Sequence, residues 1–140
     1  MINVYVAAPF RRRMFAEHVA RLLEGEGFTV TSSWVHTTEE DGDCGGAISP
    51  ADAKRNALVD LDDLMAADHM LLLNFPNGRG GMHVEFGYAL ASGVKCVVIG
   101  KPTTIFHYLQ DVEVYPSVRA YVSAWRDRRR AMKWDPTDKE

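Results

Sequence analysis

Cysteine is scarce in this 140-residue sequence, with two residues, Cys44 and Cys96. Two are too few for a disulfide framework. Neither stands in a CxxC or among spaced histidines, which argues against a zinc site. His36, His69, His83 and His107 show no ligand spacing, so neither metal nor cofactor is expected. No apolar run approaches the ~20 residues that span a bilayer. The N-terminus, "MINVYVAAPFRRR", puts its apolar run before its positive charges, the reverse of a secretory signal. A cytoplasmic protein with no membrane partner is the expectation. Positive charge is not in excess either. Sixteen Lys and Arg against nineteen Asp and Glu leave a net charge of −3, so a global electrostatic case for nucleic-acid binding is missing.

What is present suits one domain with a proper core, 46% apolar and 25% charged. The reading places it at residues 1–134, with a frayed tail at 135–140. "INVYVAAP", "HMLLLNF" and "VKCVVIG" are apolar on both parities, as strands buried on both faces are. "FTVTSSWV" reads as a further strand and "VEVYP" as a weak fifth. "RRRMFAEHVARLLEGEG" carries Phe15, Val19, Leu22 and Leu23 at helical spacing. Ser49, Pro50 and Asp52 form a cap, a first-turn proline and an acid that open a second helix. "MHVEFGYALAS" is a helix stopped by Gly93, "TIFHYLQD" a short helix, and 117–134 a closing helix. "HTTEEDGDCGGAI" reads as a loop. Strands alternating with helices imply an α/β fold with a parallel sheet covered on both sides. Ligands of such sheets bind beyond the carboxyl ends of the strands.

Three segments leave strands at that edge: "AAPFRRR", "WVHTTEED" and "NFPNGRGGMHVE". The last contains neither GxGxxG nor a P-loop. It does contain Glu85, the one full charge between Met82 and Val94. A carboxylate in so apolar a helix is costly unless paired or employed. It either serves as nucleophile or base, or satisfies free N–H groups at the helix start. In "VDLDDLMAAD" the residues Ala57, Leu58, Leu61, Leu64 and Met65 define the expected buried stripe. Asp60 and Asp62 flank it, Asp63 points away, and periodicity does not choose between the first two. Arg11, Arg12 and Arg13 oppose the helix dipole at a helix start, by about 0.3–1 kcal/mol per charge. They either extend into solvent or meet an anionic ligand. Trp34 either stacks on a flat ligand or packs at the rim. The basic, tryptophan-bearing "WRDRRRAMKW" suits a helix C-terminus better than a nucleic-acid surface.

Taken in order, "VYVAAPF", "DLDDLMAAD" and "GRGGMHVEFGYALASG" resemble the nucleoside 2-deoxyribosyltransferase family, which includes deoxynucleoside 5′-monophosphate N-hydrolases. The likeness covers residues 1–110, and its most specific part is GxxxExGxAxxxG at 81–93. It implies a flavodoxin-like (Rossmann-like) three-layer sandwich with a five-stranded, mostly parallel sheet. It also implies a homodimer or higher oligomer, no metal, and a nucleoside or nucleotide plus a free nucleobase as ligands. The family's nucleophilic glutamate falls on Glu85, its orienting tyrosine on Tyr5, and its helix aspartate on Asp60. The implied substrate contacts are Ala8, Pro9, Phe10 and Arg11 after the first strand, Trp34 after the second, and Arg79, Gly81 and Met82 in the glycine turn. His107 or Tyr108 would reach the site of a neighbouring subunit. Arg79 stands where transferases of free nucleosides often carry an aspartate, and the basic turn at 11–13 differs from the Gly-rich turn of the hydrolases. The implied activity is transfer of a 2-deoxyribosyl group between bases. The alternatives are hydrolysis of a nucleoside 5′-monophosphate and, outside enzymes, a non-catalytic nucleotide-binding protein.

Overall fold

The computed structural model describes residues 1–37, 48–76 and 78–133, with side chains described as far as residue 131. Most of the expected polar loop, Cys44 included, and the expected tail lie outside the described residues. The element order is β1 (Asn3–Ala7), α1 (Arg13–Gly25), β2 (Thr29–Val30), α2 (Pro50–Met65), β3 (His69–Leu73), α3 (Gly81–Ser92), β4 (Lys95–Ile99), β5 (Glu113–Tyr115) and α4 (Val118–Lys133). Short 3-10 turns occupy Phe10–Arg12, Ser33–His36 and Ile105–Tyr108.

The five strands form one sheet in the order β2-β1-β3-β4-β5, and all pairs are parallel. Alternation along the strands divides the core in two. Val4, Val6, Leu71, Leu73 and Val97 pack with Val19 and Leu23 of α1 and Tyr121 and Val122 of α4. Tyr5, Ala7, Met70, Leu72 and Val98 pack with Leu64 of α2 and Met82, Phe86 and Ala89 of α3. The result is the expected three-layer α/β sandwich. The chain turns outward from β1 to β2 and then returns to β3. The strand order therefore reverses beside the carboxyl end of β1, where such sheets bind ligands. No helix among the described residues is long and apolar enough to cross a membrane.

Two expectations need correction. The second strand was expected over 28–35, but β2 stops at Val30. Side chains take over the pairing from there. The Val6 amide donates to Ser32 Oγ at 3.0 Å, and Trp34 Nε1 donates to the Val6 carbonyl at 2.8 Å. With both backbone groups of Val6 satisfied by side chains, the ladder ends and the chain turns. The stripe expected to be buried on α2 is also not the buried one. Leu64 is buried, whereas Ala57, Leu58 and Met65 are exposed.

At the sheet's other end two polar groups, buried His69 and partly buried Glu113, are held by protein partners. Burial pushes the His69 imidazole down to about 4, against the opposing pull of Asp68 and Glu113. Its Nδ1 lies 2.6 Å from the Tyr121 hydroxyl. Burial likewise holds the Tyr121 phenol well above its ordinary value, so that hydroxyl is the donor. Burial would raise the Glu113 carboxyl, but hydrogen bonds from Arg128, Tyr115 and Lys95 outweigh it and hold the group at about 2. Both groups link stability to pH in the same direction. Below pH 6.5 the unfolded chain takes up a proton at residue 69 that the native state refuses until about 4. Glu113 stabilises the fold above its ordinary value of 4.5, and that contribution is lost as pH falls toward 2. Denaturant unfolding between pH 7 and 4 should therefore show stability falling by roughly 2 kcal/mol from His69. In His69→Asn, which keeps an acceptor for Tyr121 but does not titrate, this part of the slope should vanish. Parallel pH curves for the two proteins would contradict the assignment.

Candidate active site

The turn before α3 is set by glycine. Gly80 has φ +100° and caps the helix by its carbonyl, which accepts from the His83 and Val84 amides at 3.0 and 3.1 Å. A side chain at Gly80 would strain the turn. A Cβ on Gly78 would lie 3.1 Å from Pro9 Cγ, so this glycine lets the turn approach the segment after β1. The helix that follows presents two faces. Met82, Phe86 and Ala89 enter the core, while Gly81, Val84 and Glu85 face a cavity of about 450 Å³. Met82 reaches both.

Glu85 is the fifth residue of α3. It lies past the first turn, so satisfying helix-start N–H groups does not account for it. Its partner is Tyr5, whose hydroxyl donates to Glu85 Oε2. Tyr5 is fully buried in β1. Burial, and then the nearby charges of Glu85 and Asp60, hold its phenol well above the ordinary range, so it stays a donor. The glutamate thus has one carboxylate oxygen tied to the sheet while the residue opens on the cavity.

The opposite wall is α2. Ala53, Asn56, Ala57, Asp60 and Leu61 all line the cavity, which is the spacing of one helical stripe. Asp60 is therefore on the cavity side, whereas Asp62 is exposed and outside it. Asp63, expected to point away, instead accepts from Ser33 at the backbone N (2.9 Å) and at Oγ (2.5 Å). It fastens the Ser33–His36 turn, and with it Trp34, to α2. Trp34 and Phe10 close the cavity with rings 6.2 Å apart and inclined at 40°. Arg55 is the one cationic side chain among the described lining residues. It pairs with Asp52 at 2.5 Å and is largely exposed.

Of the residues singled out in the sequence, Ala8, Phe10, Trp34, Asp60, Gly81, Met82 and Glu85 meet in this cavity, and Tyr5 stands behind it. Pro9, Arg11, Arg79 and His107 are not in its lining. Arg11 donates to the Pro76 carbonyl at 3.2 Å, and Arg13 to the Val35 carbonyl at 3.0 Å. The Arg12 guanidinium lies 4.6 Å over the Phe75 ring. Each of the three arginines thus has a protein partner, and only Arg13 falls within α1. Arg79 is exposed. His107 is buried against Phe86 and His83, with Nδ1 accepting from the Thr103 amide at 3.0 Å. Burial and the neighbouring His83 lower its basicity. Sequence reasoning missed Ser33, Thr37, Arg55 and Asn56, which also line the cavity. The Asn56–Asp60 spacing of one helical turn was the available signal.

Among the described residues no cluster of His, Cys, Asp or Glu is arranged to hold a metal ion. What the cavity offers is a carboxylate set by a tyrosine, a second acid about one helix away, and aromatic walls. That combination suits attack on an electrophilic carbon beside a flat group.

No protein-family model matches the sequence, and no curated protein matches it. Solved structures do, and two of them are informative here. One is the CMP N-glycosidase BcmB of Clostridium botulinum, at TM-score 0.53 and 18% identity, over 89% of this chain and 98% of that one. The other is a 2-deoxyribosyltransferase from the psychrotolerant bacterium Bacillus psychrosaccharolyticus, at TM-score 0.60 and 20% identity, over 96% of this chain and 93% of that one. At that identity and across nearly the whole chain, the flavodoxin-like fold is what this protein shares with both.

Proposed function

We propose that this protein cleaves the N-glycosidic bond of a (deoxy)nucleoside or nucleotide through a covalent glycosyl-Glu85 intermediate, and passes the 2-deoxyribosyl group to another base. The observation that carries the reading is the hydrogen bond from buried Tyr5 to Glu85 at the wall of a cavity that also holds Asp60. A carboxylate oxygen of Glu85 forms a bond to C1′ as the C1′–N bond breaks. The leaving base keeps the bonding electron pair and takes a proton in the neighbourhood of Asp60. A nitrogen of a second base then attacks C1′ from the face the first base left. It loses a proton, and the Glu85 carboxylate is released. Two displacements at one carbon retain its configuration.

Hydrolysis of a 5′-monophosphate is the second reading: the basic turn at Arg11–Arg13 follows β1 at the same sheet edge, although each of the three side chains is engaged by protein groups and would have to turn toward a phosphate. The two fold neighbours carry one chemistry each in their names, so the fold does not divide the readings. The protein acts as a homodimer or higher oligomer in either case. Ile105, Phe106 and Tyr108, all exposed after β4, support that.

The deciding experiment incubates the protein with nucleosides and with their 5′-monophosphates, with and without free adenine, and identifies products by mass. A new adenine nucleoside is the expected result. Free base with sugar phosphate would favour the hydrolase. No cleavage in any combination would overturn the proposal.

Tyr5→Phe should lower kcat by roughly 10- to 100-fold with KM little changed, because a hydrogen bond to a charged group contributes about 1.5–3 kcal/mol. The hydroxyl orients Glu85 and holds no substrate. Steady-state kinetics on the purified variant would show this, and an unchanged kcat would remove Tyr5 from the reaction.

A further inference from the structure

Asp63 stands in the last turn of α2, beside Asp62 and with no basic residue in that turn. A carboxylate there opposes the helix dipole, at a cost of about 0.3–1 kcal/mol. Asp63 is half-buried, and its Oδ2 accepts from both the amide and the hydroxyl of Ser33. Those two bonds fill a gap. Ser32 holds the position from which a serine side chain usually caps the turn that follows. Its hydroxyl accepts from the Val6 amide instead and makes no bond to that turn. Asp63 supplies the missing acceptor from a neighbouring helix.

What it holds is one wall of the cavity. Trp34 follows Ser33 directly, packs against both halves of the core, and lines the cavity together with Asp60. The Val6 carbonyl fixes the ring at Nε1. The Asp63 bonds fix the backbone end of the same residue against α2. Asp60 lies one helical turn earlier on that helix, about 4.5 Å along the axis. One helix thus carries both the acid and the anchor of the ring that faces it.

We infer that Asp63 is a positioning residue, which fastens the Ser33–His36 turn to α2 and so sets the Trp34 ring against Asp60, with the leaving base stacked where that acid reaches a ring nitrogen. The inference rests on the proposed cleavage at C1′. Proton transfer needs heavy atoms about 2.6–3.2 Å apart, and a misplacement of about 1 Å can cost roughly 10²-fold. A Trp34 released at its backbone end still stacks on a base, but over a wider range of planes. Proton transfer therefore suffers more than binding. Asp63 is outside the cavity lining. Its charge comes after burial, Glu85 and Asp60 among the causes that raise the Tyr5 phenol.

The test compares Asp63→Ala, which removes the anchor, with Asp63→Asn, which removes the charge but keeps an oxygen able to accept both bonds. Asp63→Ala should lower kcat on 2′-deoxynucleosides about tenfold or more with KM changed by roughly threefold or less. Asp63→Asn should stay within about threefold of wild type. A nucleoside of 7-methylguanine leaves without needing a proton, so Asp63→Ala should cost it roughly threefold or less. Hydrogen exchange of residues 32–37 gives a readout without turnover: about tenfold faster in Asp63→Ala and unchanged in Asp63→Asn. Calorimetry of 2′-deoxyadenosine with Glu85→Gln protein gives another, with affinity falling by about threefold when Asp63→Ala is added. These two changes in a wild type that cleaves nothing would uphold Asp63 as the residue that sets Trp34 in the site, and the cleavage reading alone would fail. Wild-type exchange in Asp63→Ala, an Asp63→Asn as impaired as Asp63→Ala, or equal losses on methylated and unmethylated substrates would overturn the inference.

Discussion

Glu85→Gln should leave less than about one per cent of wild-type turnover in a protein that still folds. On the proposed mechanism the substitution removes the nucleophile and little else. A carboxamide is close to the shape of a carboxylate, and its oxygen can still accept from the Tyr5 hydroxyl that now bonds Glu85 Oε2. The core face of α3, formed by Met82, Phe86 and Ala89, is untouched. An amide oxygen, however, carries no full charge to offer C1′, and the intermediate it would form lacks the stability of an ester. A hundredfold loss corresponds to about 2.7 kcal/mol of transition-state stabilisation, and a lost nucleophile should exceed it. Mass spectrometry of the wild type, acid-quenched during turnover, should find one glycosyl unit on the peptide containing Glu85. A residual rate above one per cent, or a label on a different residue, would sink the nucleophile assignment.

The parts of this structure legible in the sequence are those where burial alone decides. β1, β3 and β4 are buried on both faces, and each reads as an unbroken apolar run. The start of α2 was legible because capping is local: Ser49 Oγ accepts from the Asp52 amide at 3.1 Å, with Pro50 in the first turn. β2 was not, because its end depends on what Ser32 and Trp34 do to Val6 across the sheet. Residues 28–35 are as β-prone as a strand, and nothing local announces the substitution of side chains for backbone.

The α2 stripe failed for a more instructive reason. Periodicity finds the apolar face of a helix and takes it for the core. In α2 the face turned inward is partly a cavity wall, built of Ala53, Asn56, Ala57 and Asp60. Apart from Ala57, such residues are too small or too polar to register as a stripe. Leu58 and Met65 suit a core by type and stand exposed. The same blindness hid Asn56, whereas Glu85 was conspicuous because a charge in an apolar segment demands an account. Asp60 could not be separated from Asp62 by periodicity, and the structure separates them by placing only Asp60 at the cavity.

That separation has a large kinetic consequence. Asp60→Asn should lower kcat/KM about 10²- to 10³-fold, within the range of a lost general acid. Asp62→Asn, at an exposed position two residues along the helix, should stay near wild type. The loss at Asp60 should depend on the leaving group in a way that a merely structural role would not. A nucleobase departs from C1′ with an electron pair, and protonating a ring nitrogen is what makes it a tolerable leaving group. A nucleoside of 7-methylguanine already carries that positive charge and needs no proton. If Asp60 serves the leaving base, Asp60→Asn should cost this substrate roughly tenfold or less while ordinary nucleosides lose 10²-fold or more. Glu85→Gln should abolish both, since each still requires the nucleophile. The comparison therefore separates the two acids by what they do to the same bond. An equal loss on methylated and unmethylated substrates would assign Asp60 to holding the sugar or the helix instead. A full rate in Asp60→Asn would take it out of the site's chemistry altogether.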